Sequence, residues 1–283
     1  MIDLHAHILP QLDDGAETME EAIQMCRISF QDGVRTLVAT PHILKGIYEN
    51  RRSTILAEVQ GLNDAIKKFG VGGSPACAKR FGEGREPGVQ DSNASTHPRI
   101  DAFRILPGAD VHFSPELLEL CENGEVVTVN DAGRYLMVEF DYQGIPFHAE
   151  EVLFRLIARG IIPIITHPER NLEIGQKPQR YGEMIRVGCL GQVTAMSLTG
   201  GFGSGMRRVA EKLLKNRWVH IIASDTHSID GRPPILSVAV RAAEKIVGRE
   251  EAQKMVTEYP QAILDGRRPD VPEPLSPDRG DRW

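Results

Sequence analysis

An α/β fold with parallel strands is what this sequence predicts. Short apolar runs alternate with amphipathic helical patterns along its length. The runs also end repeatedly in His, Asp or Glu, at the strand ends where both open and closed parallel architectures build their sites. About seven β units are counted, which suits a doubly wound sheet or a closed barrel equally well.

The first strand carries Asp3-Leu4-His5-Ala6-His7, and alternate side chains of a strand share a face, so His5 and His7 point the same way. Thr18-Met19-Glu20-Glu21 is a capping box, followed by Ala22, Met25, Cys26 and Phe30 at helical spacing and by Gly33 as a stop. Val34–Thr40 reads as a buried strand, and a long helix covers Ser53–Lys68. From about 71 to 99, Gly, Ser, Pro and charge without periodicity predict a flexible insertion. Strands are then expected at Phe103–Leu106, Tyr135–Phe140, Ile161–Thr166, Gly191–Ala195 and Val219–Ala223, with Gly108-Ala109-Asp110-Val111 after the first of these. Helices fit Phe147–Arg159, Gly205–Lys215 and Ile235–Val247. The expected organisation is one domain over 1–266 and a mobile, proline-containing tail over 267–283.

With 283 residues, 41% of them hydrophobic and 25% charged, the chain is long enough for one large core. A net charge of −6 disfavours nucleic acid as a partner. No apolar run reaches a membrane span, and the start lacks the basic and apolar regions of a signal peptide, so a cytoplasmic protein without membrane insertion is expected. Cys26, Cys77, Cys121 and Cys189 form no Cys-x-x-Cys and read as reduced packing residues.

The chemistry lies in the strand ends. His5, His7, Asp14, His42, Asp110, Glu139, His167, Asp225 and His227 all fall at such ends or in the loops that follow. Imidazoles and carboxylates without thiolate suit Zn, Mn or Fe in a hydrolytic centre, and nine donors are enough for two or three ions. Arg170 and Arg232 follow on the same face. Each reads either as a clamp for phosphate oxygens or as a surface ion pair with Glu169 or Asp230. His112 and His220 lie within or beside strands. His220 reads as a core or interface residue; His112, two residues past Asp110, has a spacing that could share its face, but is read as off the site because the strand's alternation is expected to end there.

These stretches resemble the PHP (polymerase and histidinol phosphatase) superfamily, and within it the bacterial manganese-dependent protein-tyrosine phosphatases of the CpsB/CapC/YwqE type. The resemblance rests on Ile2–Pro10, Asp13-Asp14-Gly15-Ala16, Thr40-Pro41-His42, Val138-Glu139-Phe140, Thr166-His167-Pro168-Glu169-Arg170, Ala223–His227 and Asp230-Gly231-Arg232-Pro233-Pro234. It implies a distorted (β/α)7 barrel with a site for two or three divalent ions, Mn2+ first and Fe or Zn as alternatives. It further implies His5, His7 and Asp225 at one ion, Glu139 and His167 at a second, and Asp14, His42 and His227 at a third. Asp110 would bridge, and Arg170 and Arg232 would bind phosphate. The implied partner is the phosphorylated tail of a bacterial tyrosine kinase that regulates capsule or exopolysaccharide synthesis, and the resemblance leaves room for an oligomer. Relatives often carry Glu where this chain has Asp110. The competing readings are a small-molecule phosphatase of the histidinol-phosphatase kind and a non-catalytic metal-binding module.

Overall fold

The computed structural model describes residues 1–70 and 103–276. The insertion expected at about 71–99 lies outside the described residues, as does the tail beyond residue 276. In chain order the elements are β1 (Ile2–Ala6), α1 (Met19–Gln31), β2 (Thr36–Ala39), β3 (His42–Ile43), α2 (Arg52–Phe69), β4 (Arg104–Pro107), β5 (Asp110–His112), α3 (Leu117–Glu122) and β6 (Tyr135–Glu139). They continue with α4 (Ala149–Ala158), β7 (Ile162–Thr166), α5 (Leu172–Gln176), α6 (Gln179–Arg186), β8 (Leu190–Thr194), α7 (Ala195–Thr199), α8 (Gly203–Lys215), β9 (Ile221–Ala223), α9 (Ser237–Val247), α10 (Arg249–Lys254) and α11 (Glu258–Leu264).

All strand pairs within the sheets are parallel. Hydrogen bonding divides the strands into a sheet of three, ordered β1-β2-β4, and a sheet of six, ordered β3-β5-β6-β7-β8-β9. This differs from one continuous barrel ladder. The division falls at Pro41, between β2 and β3, and at Gly108-Ala109, between β4, which ends in Pro107, and β5. Proline offers no N–H to a ladder. Gly108 lies so close to β2 that a Cβ there would stand 2.7 Å from Val38 Cγ1. Each long strand therefore bends and changes sheet. At the other edge β9 reaches β1: Asp225 N donates to His5 O and His7 N to Thr226 O, both at 2.9 Å.

Alternation along the strands sorts the apolar residues into two layers. Ile2, Leu4, Val38, Tyr135, Met137, Ile162, Ile164, Leu190 and Ile221 gather on one side, closed below by Ile263 and Leu264 of α11. Leu37, Ile105, Leu136, Val138, Ile165, Val193 and Ile222 face the other way, into a larger cluster with the helices. Above the smaller cluster the same faces carry Glu139, Thr166, Gln192, Thr194 and Asp225 (even spacing from the apolar residues beneath).

The cap of α1 forms in part as expected: Thr18 Oγ1 accepts from Glu21 N at 3.2 Å, whereas Glu21 Oε2 reaches one residue further back and accepts from Glu17 N at 3.0 Å. The tail expected to be mobile is tied over its described part. Tyr135 Oη donates to Arg267 O at 2.6 Å, Trp218 Nε1 donates to Leu275 O at 3.0 Å, and Leu275 N donates to Asn216 O at 3.0 Å. Its prolines suit this, since an extended segment needs few donors of its own. Cys26 and Cys189 are buried thiols and Cys121 is half-buried.

Candidate metal centre

A β-bulge sets the direction of the histidine pair. β1 pairs Asp3 with Leu37 and Ala6 with Ala39, so it carries one residue more than β2 across the same span. Ile2 and Leu4 face the smaller cluster. Unbroken alternation would turn His5 and His7 away from it. The extra residue reverses the alternation and aims both rings at the strand ends of β8 and β9.

Each ring is fixed from behind. His5 Nδ1 meets Gln192 Oε1 at 2.9 Å, His7 Nδ1 meets Asp13 Oδ2 at 2.7 Å, and His227 Nδ1 meets the carbonyl of Asp225 at 2.9 Å. Oxygen acceptors at Nδ1 make that nitrogen the donor and leave Nε2 free for a cation. The Nε2 atoms of His5 and His7 stand 3.0 Å apart. The carboxylates surround them. His5 Nε2 lies 3.5 Å from Asp110 Oδ2 and 3.4 Å from Asp225 Oδ1, and His7 Nε2 lies 3.5 Å from Asp225 Oδ1. His42 Nδ1 is 3.4 Å from Glu139 Oε2, and His167 Nε2 is 3.4 Å from Glu139 Oε1. Asp14 Oδ1 stands 3.7 Å from His42 Nε2 and 3.5 Å from His227 Nε2.

Most of these separations are long for hydrogen bonds. They match donors that share an ion, because two ligands each about 2.1 Å from one centre at tetrahedral or octahedral angles stand roughly 3.0–3.4 Å apart. Among the described residues three groups have all their ligand atoms within 4.8 Å of one another: His7, Asp14, His42 and His227; His5, His7 and Asp110; and His42, Asp110 and Glu139. His167 and Asp225 adjoin them at the distances above. Asp110 Oδ2 is buried without a hydrogen-bond partner, yet lies 3.5, 3.7 and 3.8 Å from His5, His42 and His167. A buried carboxylate oxygen among imidazoles is costly unless a cation meets it. The residues therefore fit divalent ions, and the shorter Asp110 reaches the centre.

The electrostatics of the cluster are divided: His5 is held neutral, as a ligand must be, whereas His7 is held protonated and gives up a proton when a cation takes its Nε2. Burial holds His5 down at about 4 and thus neutral. Burial opposes charge on His7 too, but the Asp13 carboxylate and its hydrogen bond outweigh it and lift His7 to about 10. Burial pushes Asp225 up, but His5, His7 and Arg232 together hold it well below the usual carboxylate range.

The loop after β1 depends on Gly15, where a Cβ would sit 2.1 Å from His7 O. Asp13 Oδ1 accepts from Gly15 N at 2.9 Å and Asp13 Oδ2 from His42 N at 2.9 Å, so one carboxylate joins the loop, His7 and β3. His167 and Asp225 have φ of 32° and 51°, left-handed values that cost non-glycine residues about 1 kcal/mol or more and that cluster at functional sites.

Neither arginine pairs with Glu169 or Asp230. Arg170 Nη1 donates to Asp225 Oδ2 at 2.9 Å, and Arg232 Nη2 donates to the same oxygen. Both guanidiniums stand over the ring of Phe202, at 5.4 and 5.6 Å from its centroid. A pocket of about 50 Å3 at Arg170 is lined by Glu139, Tyr142, His167 and Arg170, among others. The centre is buried at His5, His7, Asp110 and Asp225 and opens at Asp14, whose side chain is 53% exposed.

All eleven residues singled out from the sequence thus meet in one region. Sequence reasoning assigned no role to Asp13, Gln192 or Phe202. Gln192, a polar residue inside an otherwise apolar strand, carried a legible signal; Phe202 carried none. His112 borders the site, 3.8 Å from Glu139 Oε2 and 3.4 Å from Asp141 Oδ1. His220 is a core residue whose Nδ1 accepts from Gly191 N at 3.1 Å.

Fold and site together define an α/β protein with a clustered histidine–carboxylate centre at the C-terminal ends of parallel strands. The family described as capsular polysaccharide synthesis, CpsB/CapC, matches residues 1–72 and 84–265, and the chain belongs to it. It is 29% identical to the tyrosine-protein phosphatase YwqE of Bacillus subtilis over 93% of this chain and 91% of that one. It is 32% identical to the putative tyrosine-protein phosphatase CapC of Staphylococcus aureus over 83% and 80%. Crystal structures of YwqE from Bacillus subtilis and CpsB from Streptococcus pneumoniae, described as metal-dependent tyrosine phosphatases, include a chain that superposes with a TM-score of 0.84 at 28% identity, covering 99% of this chain and 100% of that one.

Proposed function

We propose that this chain is a metal-dependent protein-tyrosine phosphatase acting on the phosphorylated tail of a bacterial tyrosine kinase in capsule or exopolysaccharide synthesis. The convergence of nine imidazoles and carboxylates beside two arginines that share one oxygen carries the reading. The names of the relatives support it.

In this reading His5, His7 and Asp225 hold one divalent ion, Glu139 and His167 a second, and Asp14, His42 and His227 a third, with Asp110 between them. Mn2+ is the proposed ion, with Fe or Zn as alternatives for the same donors. Bound there, such ions polarise a phosphoryl oxygen and lower the pKa of water to near neutrality. The protein's own groups do the rest. Asp13 and Gln192 hold His7 and His5 in the tautomers that leave Nε2 free. Arg170 on the pocket wall and Arg232, which shares its acceptor, supply N–H donors, and a phosphoryl group replaces Asp225 as their acceptor, which neutralises charge as the phosphorus–oxygen bond breaks. Tyr142, 54% exposed on the pocket wall, offers its ring to the tyrosyl side chain.

Three structural readings accompany this one. Residues 1–266 are proposed to form a single domain. The bends at Pro41 and Gly108 and the β9–β1 hydrogen bonds support a distorted seven-stranded closed ring. The free thiols support a reducing, cytoplasmic setting.

The test is turnover of p-nitrophenyl phosphate, a phosphotyrosine peptide and histidinol phosphate before chelation, after it, and after adding back Mn2+, Fe2+ or Zn2+, with bound metal measured. Turnover lost to chelator and restored by Mn2+ is expected. Chelator-resistant turnover, faster turnover of histidinol phosphate than of the peptide, or bound metal without turnover would each overturn the proposal.

A further inference from the structure

Beside the candidate site runs a second groove of about 410 Å3, whose lining includes Arg170, Asn171, Leu172, Met206, Arg208 and Lys212. Arg170 and Asn171 also line the smaller pocket with Glu139 and His167, so a chain leaving that pocket meets the groove directly. Leu172, Met206 and Val209 are half-buried there and give it an apolar floor.

The charge of the groove opposes that of the molecule. The chain carries −6 overall, yet the described lining includes Arg170, Arg208 and Lys212; Arg170 already donates to Asp225 and Lys212 is engaged by a partner, so Arg208 is the cation the groove offers. Among the described lining residues the one carboxylate, Glu169, is buried and turned inward, accepting from Thr194 N at 3.0 Å and Ser197 Oγ at 2.7 Å. Arg208 is exposed on α8 and has no carboxylate within ion-pairing distance among the described residues, whereas its neighbour Arg207 pairs with Glu211 at 2.8 Å. An exposed guanidinium above an apolar floor, continuous with a phosphate pocket, is a receptor for an anion on an extended chain.

We propose that this groove binds an anionic side chain, a carboxylate or a second phosphate, carried by the same polypeptide as the phosphotyrosine. The proposal rests on the phosphatase reading and names its sequence preference: acidic or multiply phosphorylated segments over neutral ones.

The test compares three peptides on the full metal-loaded chain: phosphotyrosine with neutral flanks, with glutamate on both sides, and with a second phosphotyrosine. The wild type should favour the anionic peptides about tenfold in kcat/KM through a lower KM, the value of one charge-assisted contact. Arg208→Glu should bring that ratio to about one, and so should raised ionic strength. Preference for both anionic peptides assigns the groove to anions in general, and preference for the doubly phosphorylated one alone assigns it to phosphate. No preference in the wild type, or a ratio that Arg208→Glu leaves intact, overturns the proposal. If neither p-nitrophenyl phosphate nor any peptide is turned over, the phosphatase reading fails by itself. The groove is then judged by fluorescence anisotropy of the glutamate-flanked peptide, whose binding Arg208→Glu must weaken about tenfold for the proposal to stand.

Discussion

Asp225 Oδ2 accepts from Thr194 Oγ1 at 3.2 Å, from Arg170 Nη1 at 2.9 Å and from Arg232 Nη2. Two guanidiniums brought to one oxygen repel each other, and the face of Phe202 beneath both offsets part of that repulsion. Phe202→Leu keeps the apolar bulk and removes the ring. It should raise the KM for p-nitrophenyl phosphate and the inhibition constant of inorganic phosphate together by about threefold to tenfold, with a smaller change in kcat, and Phe202→Trp should restore both. Unaltered phosphate affinity in the leucine variant would rule this role out. His220 tests a different property. Burial, reinforced by Arg268, lowers its pKa to about 4 despite the backbone at Arg217. The unfolded chain takes up a proton below pH 6.5 that the folded chain refuses until about 4, so this residue's stabilising contribution is full above pH 6.5 and fades as the pH falls toward 4. His220→Asn should flatten the loss of stability between pH 7 and pH 4.5 by about 3 kcal/mol at most, measured by urea unfolding at both values. The cavity it leaves costs the same at each pH, so the difference between the two is the readout. Residue identities were the most legible layer of the sequence, because imidazoles and carboxylates at strand ends have few bland explanations in such number. The partners of the two arginines were not, since Asp225 is distant from Arg170 in sequence and only the fold brings them together.

At the scale of elements, the bulge in β1 and the glycine of the following loop do the aiming. Gly15→Ala forces its methyl group against His7 O and moves Asp13 and Asp14. Bound metal should fall, and kcat with it by about 10- to 100-fold, while far-UV circular dichroism stays that of the wild type. Full metal content and full turnover in that variant would remove the loop from the site. The regular strands and the long helices appear within a few residues of their expected bounds, because burial imposes clear periods on them. The short helices α5, α6 and α7 were invisible. Five to eight residues give too little periodicity to read, and such helices persist through tertiary packing, not propensity. The one-residue insertion in β1 was invisible for another reason: it is defined only against its neighbour β2.

At the scale of the whole molecule, the centre ties together segments from both ends of the described chain. Ions that bind only the folded form stabilise it by mass action, by about 2.7 kcal/mol at a concentration 100 times the dissociation constant. Chelation should therefore lower the melting temperature by several degrees, and Mn2+ should restore it in proportion to the logarithm of its concentration. A melting temperature indifferent to both would mean that the carboxylates tolerate one another without cations.

Ser224 N donates to Asp3 Oδ1 across 221 residues of sequence. On a ribosome adding about 5–20 residues per second, β1 gains β2 early but waits tens of seconds for its second neighbour, β9, to be made. Through that interval a polar strand pair stays unmade and two histidines remain in water. The protein should therefore mature late and all at once, with chaperones as its early company, and nascent chains stalled before residue 221 should bind no metal at this centre.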